Sequence, residues 1–231
     1  MKLTALLIPL ILLLSCGEQT PAERIVNKHL KAVGKTNKIK TLETAAKCSG
    51  PDGNYITKTS SSFRSDYVLF QQDYSYKSAF YSVVYSKEKG FGLDSSYISQ
   101  GPLSTTVIAV LKAHEFHEMM MQPQTRYFSM QLGGDTTFYG QKCQYIDAVD
   151  HLDLPVKLYF DSQTHLMAGI SQANPFSKGE VISVHFLEWT NQNQIKLFTQ
   201  LEIDQGKNDH YDFDYFEIEW NNPDFRKLKV E

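Results

Sequence analysis

The pattern of apolar and polar residues predicts a helix near the start of the chain. After an unbroken apolar run over residues 5–14, apolar positions recur at helical spacing over residues 21–33, at Ala22, Ile25, Val26, Ala32 and Val33. Thr20 is suited to the N-cap, Glu23 completes a capping box, and Gly34 is suited to the C-cap. We therefore predict a first helix over residues 21–33, with Pro21 at its first position.

A second helical pattern lies in the middle of the chain, over residues 102–121. Its apolar positions recur at three- and four-residue spacing and are Val107, Ile108, Val110, Leu111, Phe116 and Met119. Pro123 ends the pattern. Because apolar residues cover much of the circumference, we expect one helix that is buried on more than one side.

The rest of the chain shows the two-residue period of β-strands. Val156, Leu158 and Phe160 alternate with polar residues. Residues 195–204 also alternate, in a way that places Phe198 with the polar residues rather than with the apolar ones. These runs predict strands with one buried and one solvated face.

Short turn sequences separate the strands, among them residues 51–54, 133–135 and 161–164. We count about ten strands in this way, and connections of hairpin length predict a mostly antiparallel sheet. The chain has no internal repeat and no low-complexity linker. Residues 21–231 therefore read as a single α+β domain.

The N-terminus has the features of an export signal. Lys2 precedes the apolar run, which at about ten residues is too short to span a membrane. The run ends in a sequence that resembles the bacterial lipobox, with Leu13, Ser15 and then Cys16. We predict a signal peptide over residues 1–15, lipid on Cys16 and a short tether over residues 16–20; an ordinary secretory signal with a chance cysteine is the alternative. Gly17, in place of aspartate, favours the outer membrane.

Composition limits the classes of partner. The chain is 42% apolar and 13% aromatic, which argues against disorder, and its net charge is −3. The sequence contains no long basic tract, so we expect neither nucleic acid as a partner nor a polybasic segment that binds anionic lipid. The simplest expectation is a monomer held on the membrane by the lipid on Cys16.

Two further cysteines, Cys48 and Cys143, leave two alternatives open. Outside the cytoplasm they could form a disulfide, closing a loop of about 95 residues that would stabilise the fold. Free cysteines are equally at home as small buried apolar residues.

Candidate chemistry is limited to one cluster on the second predicted helix. His114, His117 and Glu118 fall at positions i, i+3 and i+4, on one helix face, and could offer two nitrogens and a carboxylate to zinc. The order does not match the zincin pattern, in which the histidines are four residues apart. A metal-dependent hydrolase is therefore a minor alternative. The acidic residues between Asp209 and Glu219 alternate with aromatic ones and read as a strand with a solvated face. We predict no cofactor and no catalysis.

The order of these elements resembles a known superfamily. A lipoprotein signal, an N-terminal helix, many strands and one inserted apolar helix follow each other, with a strand-turn-strand sequence over residues 158–166 and the ending Phe216-Glu217-Ile218-Glu219-Trp220-Asn221. Together they look like the LolA- and LolB-like proteins of the bacterial envelope. The resemblance implies a strongly curved, incomplete antiparallel barrel with helices on its concave side, and a hydrophobic space that receives acyl chains.

The expected function follows from that resemblance and from the apolar helix. We predict a lipid-anchored envelope lipoprotein that binds or shields acyl chains, with the ligand site formed by Val107, Leu111, Phe116, Met119 and Met120. For each of these residues, packing in an ordinary core is the competing interpretation. An accessory lipoprotein that interacts with an envelope complex is the alternative function.

Overall fold

The computed structural model describes residues 19–63, 67–74, 79–86, 89–113, 115–150, 153–175, 177–206 and 209–228. Four α-helices lie at Pro21–Val33 (α1), Thr105–Ala113 (α2), Phe116–Met121 (α3) and Pro123–Arg126 (α4), and a short 3-10 helix at Thr36–Lys38. The first six strands are Thr41–Gly50 (β1), Gly53–Ser62 (β2), Tyr67–Tyr74 (β3), Ala79–Ser86 (β4), Lys89–Leu93 (β5) and Ser99–Pro102 (β6). The remaining strands are Phe128–Phe138 (β7), Gln141–Val149 (β8), Pro155–Asp161 (β9), Met167–Ala173 (β10), Val181–Gln192 (β11), Ile195–Gln205 (β12) and Asp209–Trp220 (β13).

All strands of the described chain join one curved antiparallel sheet that does not close. Its order is β6-β5-β4-β3-β2-β1-β13-β12-β11-β10-β9-β8-β7. The sheet has thirteen strands in this part of the chain, more than the ten expected. One reason is that β5 and β6 are short and rich in glycine and polar residues, so their sequences lack a clear apolar alternation. The predicted turn at residues 133–135 is also wrong, since these residues form an irregular stretch inside β7.

The first helix forms where its sequence predicts. The Thr20 hydroxyl accepts a hydrogen bond from the Glu23 amide, and the Glu23 carboxylate accepts one from the Thr20 amide. Gly34 forms the C-cap, and its amide donates to the carbonyl of Leu30. The capping box and C-cap therefore satisfy backbone groups at both ends of α1.

The second predicted helix is in fact two helices, α2 and α3. Glu115 lies between them with φ −79° and ψ 67°, which is not a helical conformation. The apolar spacing of the sequence continues across this break, so a count of apolar positions does not detect it. The break matters because it turns the Glu115 side chain into the interior, where it is only 6% exposed.

We define the inner face of the sheet as the face against which the helices pack. The main core joins α1, through residues such as Ile25 and Val26, and α3 to the inner side chains of β8–β12. At the other end of the sheet, α2 places Ile108 over Gly90 of β5. The expectation of a curved, mostly antiparallel sheet that does not close is thus confirmed.

The opposite, outer face is partly covered by the end of the chain. Phe225 and Leu228 pack against Tyr67, Val84 and Leu93. The Tyr67 hydroxyl accepts a hydrogen bond from the Leu228 amide at 3.0 Å. This segment closes a small second core on β3–β5.

The predicted alternation of β12 is correct except at Phe198. This residue is fully buried, whereas the two-residue period placed it with the polar side chains. The adjacent strand β11 is irregular near this position. Glu188 of β11 has φ +48°, and the Glu188 carbonyl accepts a hydrogen bond from the Thr199 hydroxyl. The local irregularity changes which side chains of β12 face inward.

Cys48 and Cys143 are both buried and both free. They lie on β1 and β8, which are separated by five strands of the sheet. The disulfide that the sequence left open is therefore not formed, and the two thiols pack as small apolar groups. Burial raises the pKa of the Cys48 thiol to about 12.

Candidate functional site

A cavity of about 250 Å³ lies between the inner face of the sheet and α3. Its wall combines strands from both halves of the chain with the ring of Phe116. Its lining side chains are uncharged, except for Asp52 at one end, and many of them are aromatic. They are Tyr55, Thr57, Thr59, Phe70, Gln72, Tyr74, Phe116, Ile203, Gln205, Tyr211, Phe213 and Tyr215.

The strand period explains why these side chains meet. Tyr211, Phe213 and Tyr215 lie at i, i+2 and i+4 of β13, so all three point to the inner face. Register pairing places Phe213 opposite both Cys48 and Leu201 on the neighbouring strands. The acidic residues that alternate with these aromatics point to the outer face, as the sequence predicted.

Burial keeps two tyrosines of the cavity neutral. Burial raises the pKa of Tyr55 and of Tyr215 far above the usual range of a phenol. The Tyr55 ring stacks on Tyr74 at a centroid distance of 4.5 Å. The wall therefore offers aromatic surface with uncharged hydroxyl groups.

The cavity extends from the hairpin turns towards the break between α2 and α3. Asp52 lies in the β1–β2 turn, and Tyr74 and Gln205 are the last residues of β3 and β12. Phe116 lies at the other end, where a further space of about 10 Å³ is shared with Glu115 and His117. The site thus has an aromatic body and a small polar inner end.

Glu115 is the one strongly perturbed carboxyl group at this inner end. Burial, and then the nearby charge of Glu118, raise its pKa to about 7, while Arg126 and a hydrogen bond with Ser61 act in the opposite direction. The group therefore titrates near neutral pH. Its position between two helices places this titration beside the cavity.

Of the predicted metal ligands, His117 and Glu118 each have other partners. His114 lies outside the described residues. The His117 ring is buried, donates from Nε2 to the carbonyl of Phe198 at 3.1 Å and stacks on the Phe198 ring at 4.0 Å. Glu118 instead forms an ion pair with Arg126 at 2.8 Å. No group of three histidine, cysteine or acidic residues among the described ones is arranged to hold a metal ion.

The five predicted ligand-binding residues are placed differently from each other. Phe116 lines the cavity. Met119 and Met120 are fully buried in the main core, and Leu111 is buried as well, while Val107 is half-buried. The structure thus brings one of the five to the cavity and packs the methionines as core residues. The cavity walls on β2, β3 and β13 were not predicted; the aromatic alternation of residues 211–215 was the available signal.

A larger depression of about 530 Å³ lies on the outer face of the same strands. Lys47, Glu202, Asp212 and Asp214 contribute charged side chains to it. Such a surface does not suit an apolar ligand, because those charges would lose their hydration. We therefore regard the inner cavity as the candidate site.

Comparison with solved structures identifies the fold. A LolA superfamily protein from Nitrosomonas europaea matches with a TM-score of 0.59 and 10% identity, over 90% of this chain and 94% of its own. A DUF1329 family protein from Desulfovibrio piger has a TM-score of 0.57 and 9% identity, over 88% and 94%. A domain from Vibrio parahaemolyticus described as an outer membrane lipoprotein-sorting protein has a TM-score of 0.52 and 8% identity, over 85% and 91%.

The chain therefore has a LolA-like fold, which confirms the resemblance drawn from the order of its elements. No protein-family model and no curated protein sequence matches it. Within the part of the chain that the structure describes, no helix is long and apolar enough to cross a membrane. The predicted signal peptide and Cys16 lie outside the described residues.

Proposed function

We propose that this protein is a lipid-anchored lipoprotein of the bacterial envelope that binds an acyl chain, without catalysis, in the cavity beneath Phe116. The observation that carries the proposal is the unfilled aromatic space between sheet and α3. Ligand sites are typically concave, mostly apolar and equipped with few polar groups. The cavity is concave, seven of its lining side chains are aromatic, and Asp52 at one end is its one charged group, while threonine, glutamine and tyrosine side chains give it polar surface as well. The LolA-like fold gives it a sheet that supports both walls.

The size of the cavity limits the ligand. Its volume of about 250 Å³ lies below the roughly 300–1,000 Å³ of typical small-molecule pockets. One acyl chain is therefore a better fit than a complete diacyl lipid. The uncharged tyrosine hydroxyls and Gln72 would contact the chain without burying a charge against it.

Anchoring is the second part of the proposal. Support for it comes from the lipobox-like sequence that ends in Cys16 and from the short stretch between this cysteine and α1. A diacylglycerol and a further acyl chain on Cys16 would hold the domain firmly, because each buried methylene contributes about 0.8 kcal/mol. The outer membrane is the favoured location, and the domain is expected to act as a monomer.

Ligand binding is tested by filling the cavity. Gln72→Trp places a large side chain in the cavity, whereas Gln71→Trp makes the same change at the next residue of β3, which faces outward. We expect Gln72→Trp to weaken binding of a dansyl-labelled fatty acid at least about tenfold, since it removes the space for the chain. Gln71→Trp should bind like the original protein.

Native mass spectrometry of the protein purified from the bacterial envelope provides a second measurement. A bound mass equal to a fatty acid or phospholipid, lost in Gln72→Trp and kept in Gln71→Trp, supports the proposal. Equal fatty-acid binding by both variants would contradict it. In the same spectra, a chain mass that begins at Cys16 and includes three acyl chains supports the anchor, and an unmodified cysteine contradicts it.

A further inference from the structure

The solvent face of α1 carries a row of cations. Arg24, Lys28 and Lys31 lie at i, i+4 and i+7, so they form one stripe along the helix. All three are exposed. The stripe lies on the side opposite the buried face of α1, which consists of Ala22, Ile25, Val26, His29 and Val33.

The row continues beyond the helix. Lys35, Lys38 and Lys40 follow α1 and are exposed, and the chain has no acidic residue between Glu23 and Glu43. We call these six residues the basic face: Arg24, Lys28, Lys31, Lys35, Lys38 and Lys40.

The cations of the basic face have no direct acidic partner. Among the residues that the structure describes, no carboxylate forms an ion pair with any of its six members. The net charge of the whole chain is nevertheless −3, so the positive charge is concentrated here. The sequence itself shows six cations without an acidic residue between Glu23 and Glu43, but no two of them are adjacent, and the helical spacing of α1 brings Arg24, Lys28 and Lys31 to one side.

The start of the described chain lies against the basic face. Gln19 lines a shallow groove together with Lys31 and Lys35. Cys16 is three residues earlier in the sequence, and three extended residues span about 10 Å. A lipid on Cys16 would thus tether Gln19, at the edge of this groove, about 10 Å or less from the membrane surface, a distance comparable with the Debye length of roughly 8 Å at physiological ionic strength.

We propose that the basic face binds the anionic phosphate head groups of the membrane that holds the anchor, and so orients the domain with α1 towards the lipid surface. The position of the basic face relative to the membrane rests on the proposed lipidation of Cys16. The positive charge of the face is independent of that lipidation. An anionic membrane is the partner that fits, because its negative surface attracts several separated cations at once.

The test uses the full chain, purified in detergent and reconstituted into vesicles of phosphatidylcholine alone or of phosphatidylcholine with phosphatidylglycerol. Flotation of the protein with the neutral vesicles reports the anchor. Reaction of Lys35 and Lys38 with an amine-reactive reagent, measured by peptide mass spectrometry, reports the basic face. We expect both lysines to react about fivefold more slowly on anionic than on neutral vesicles, and the difference to disappear at high salt.

Matched charge variants make the test specific. Arg24→Gln, Lys28→Gln and Lys31→Gln together should remove most of the protection of Lys35 and Lys38, because three cations are worth roughly a hundredfold in affinity for an anionic surface. The control combines Lys47→Gln, Lys58→Gln and Lys142→Gln, three exposed lysines of the sheet. It changes the net charge equally and should leave the protection intact.

Each outcome separates the two proposals. Flotation with both vesicles but equal labelling overturns the membrane-facing role and leaves the anchor standing. If the protein floats with anionic but not with neutral vesicles, and high salt abolishes this flotation, the result supports the basic face and contradicts the anchor. Flotation with neither contradicts both. Equal protection by inorganic phosphate without vesicles, at matched ionic strength, would overturn the membrane surface as the partner.

Discussion

At the scale of single residues, His29 joins three elements of the main core. Its Nε2 donates a hydrogen bond to the carbonyl of Met120 on α3 at 2.8 Å, and its Nδ1 accepts one from the amide of Met167 on β10 at 3.1 Å. The ring also meets Phe160 edge-on. Both nitrogens are used, so the neutral ring has a fixed tautomer. Burial lowers the pKa of His29 to about 4, which keeps it neutral.

Replacing His29 by leucine should destabilise the fold more than its change in volume suggests. The variant leaves the Met120 carbonyl and the Met167 amide buried without partners, at a cost of about 2–4 kcal/mol in the free energy of unfolding. Urea denaturation checks this value. Asn27→Leu, on the same helix but half-buried, should change stability by less than about 1 kcal/mol. Equal losses in both variants would contradict the role assigned to His29.

Titration of buried groups gives stability a defined pH dependence. His29 and His117 both have pKa values lowered to about 4 by burial, below the value of about 6.5 for an unfolded chain. The stabilisation that these neutral histidines contribute to the free energy of unfolding is complete above pH 6.5 and is lost as pH falls towards 4. Glu115 acts in the opposite direction. Its pKa is raised to about 7 by burial, so its contribution is complete below its unfolded pKa and is lost as pH rises to 7.

Glu115→Gln should therefore become more stable relative to the original protein as pH rises. Glutamine has no charge to bury, and a shift of this size corresponds to about 3 kcal/mol above pH 7. The two proteins should differ least below about pH 3.5, where Glu115 is protonated in both the folded and the unfolded chain. Thermal or urea denaturation from pH 5 to pH 8 measures the difference. Parallel profiles would show that Glu115 is not a buried titrating group.

At the scale of elements, backbone packing makes one glycine of the sheet irreplaceable. A Cβ atom on Gly169 of β10 would lie 2.1 Å from the carbonyl oxygen of Val184 and 2.5 Å from the Phe138 ring. The backbone oxygen cannot move without breaking the β10–β11 pairing. Gly92 of β5 is a matched contrast, because its nearest neighbour would be the Gln100 side chain at 3.9 Å.

Gly169→Ala should accordingly lower the free energy of unfolding by about 2–3 kcal/mol, the usual cost of forcing an extra group into a packed interior. Gly92→Ala should be neutral or slightly stabilising, because alanine reduces the freedom of the unfolded chain. Denaturation midpoints of the two variants give the comparison. Similar midpoints would mean that the sheet adjusts at Gly169.

Local signals explain which elements the sequence could predict. The capping box of Thr20 and Glu23 and the turn at Asp161 act within a few residues, and both form as expected. The Asp161 side chain accepts hydrogen bonds from the amides of Gln163 and Thr164. The break at Glu115 was missed because it depends on what the two helices contact, and the apolar spacing continues through it.

The candidate site was largely beyond sequence inspection for a similar reason. Its walls combine β2 and β3 with β12 and β13, and β1 lies between these two pairs in the sheet although it precedes them all in sequence. No pattern within a few residues of sequence indicates that these distant strands form the walls of one cavity. Phe116 lies on an apolar helix, which is a local signal, whereas Phe213 and Tyr215 alternate with acidic residues in a strand that reads as a solvated face. Met119 and Met120 are packed in the core, the interpretation that competed with ligand binding for each of these residues.

At the scale of the whole molecule, the sheet consists of two meanders joined at one place. Every neighbouring pair of strands is consecutive in sequence except β1 and β13. There Leu42 pairs with Trp220 and Ser49 with Asp212. The first and last strands of the chain thus meet in the middle of the sheet, and its edges, β6 and β7, come from the middle of the chain.

This arrangement makes the joining of the two meanders the slow step of folding, since it closes the longest loop in the molecule. A circular permutant removes that step. Joining residue 228 to residue 19 by a flexible glycine-serine linker and opening the chain between Leu103 and Ser104 makes all thirteen strands consecutive. We expect it to refold roughly tenfold faster, as measured by stopped-flow fluorescence. A permutant with the same linker, opened between Asp52 and Gly53, moves the distant pairing to β1 and β2 and should refold at the original rate.

The same topology has a consequence for the proposed export of the chain. When a chain crosses a membrane from its N-terminus, β1 emerges long before β13. One edge of β1 therefore stays unpaired until the last strand has crossed. An unpaired edge strand is a template for aggregation. A periplasmic holding chaperone is therefore expected to bind the emerging chain for longer than it binds the Leu103–Ser104 permutant. Crosslinking of the two nascent chains during secretion would measure that difference directly.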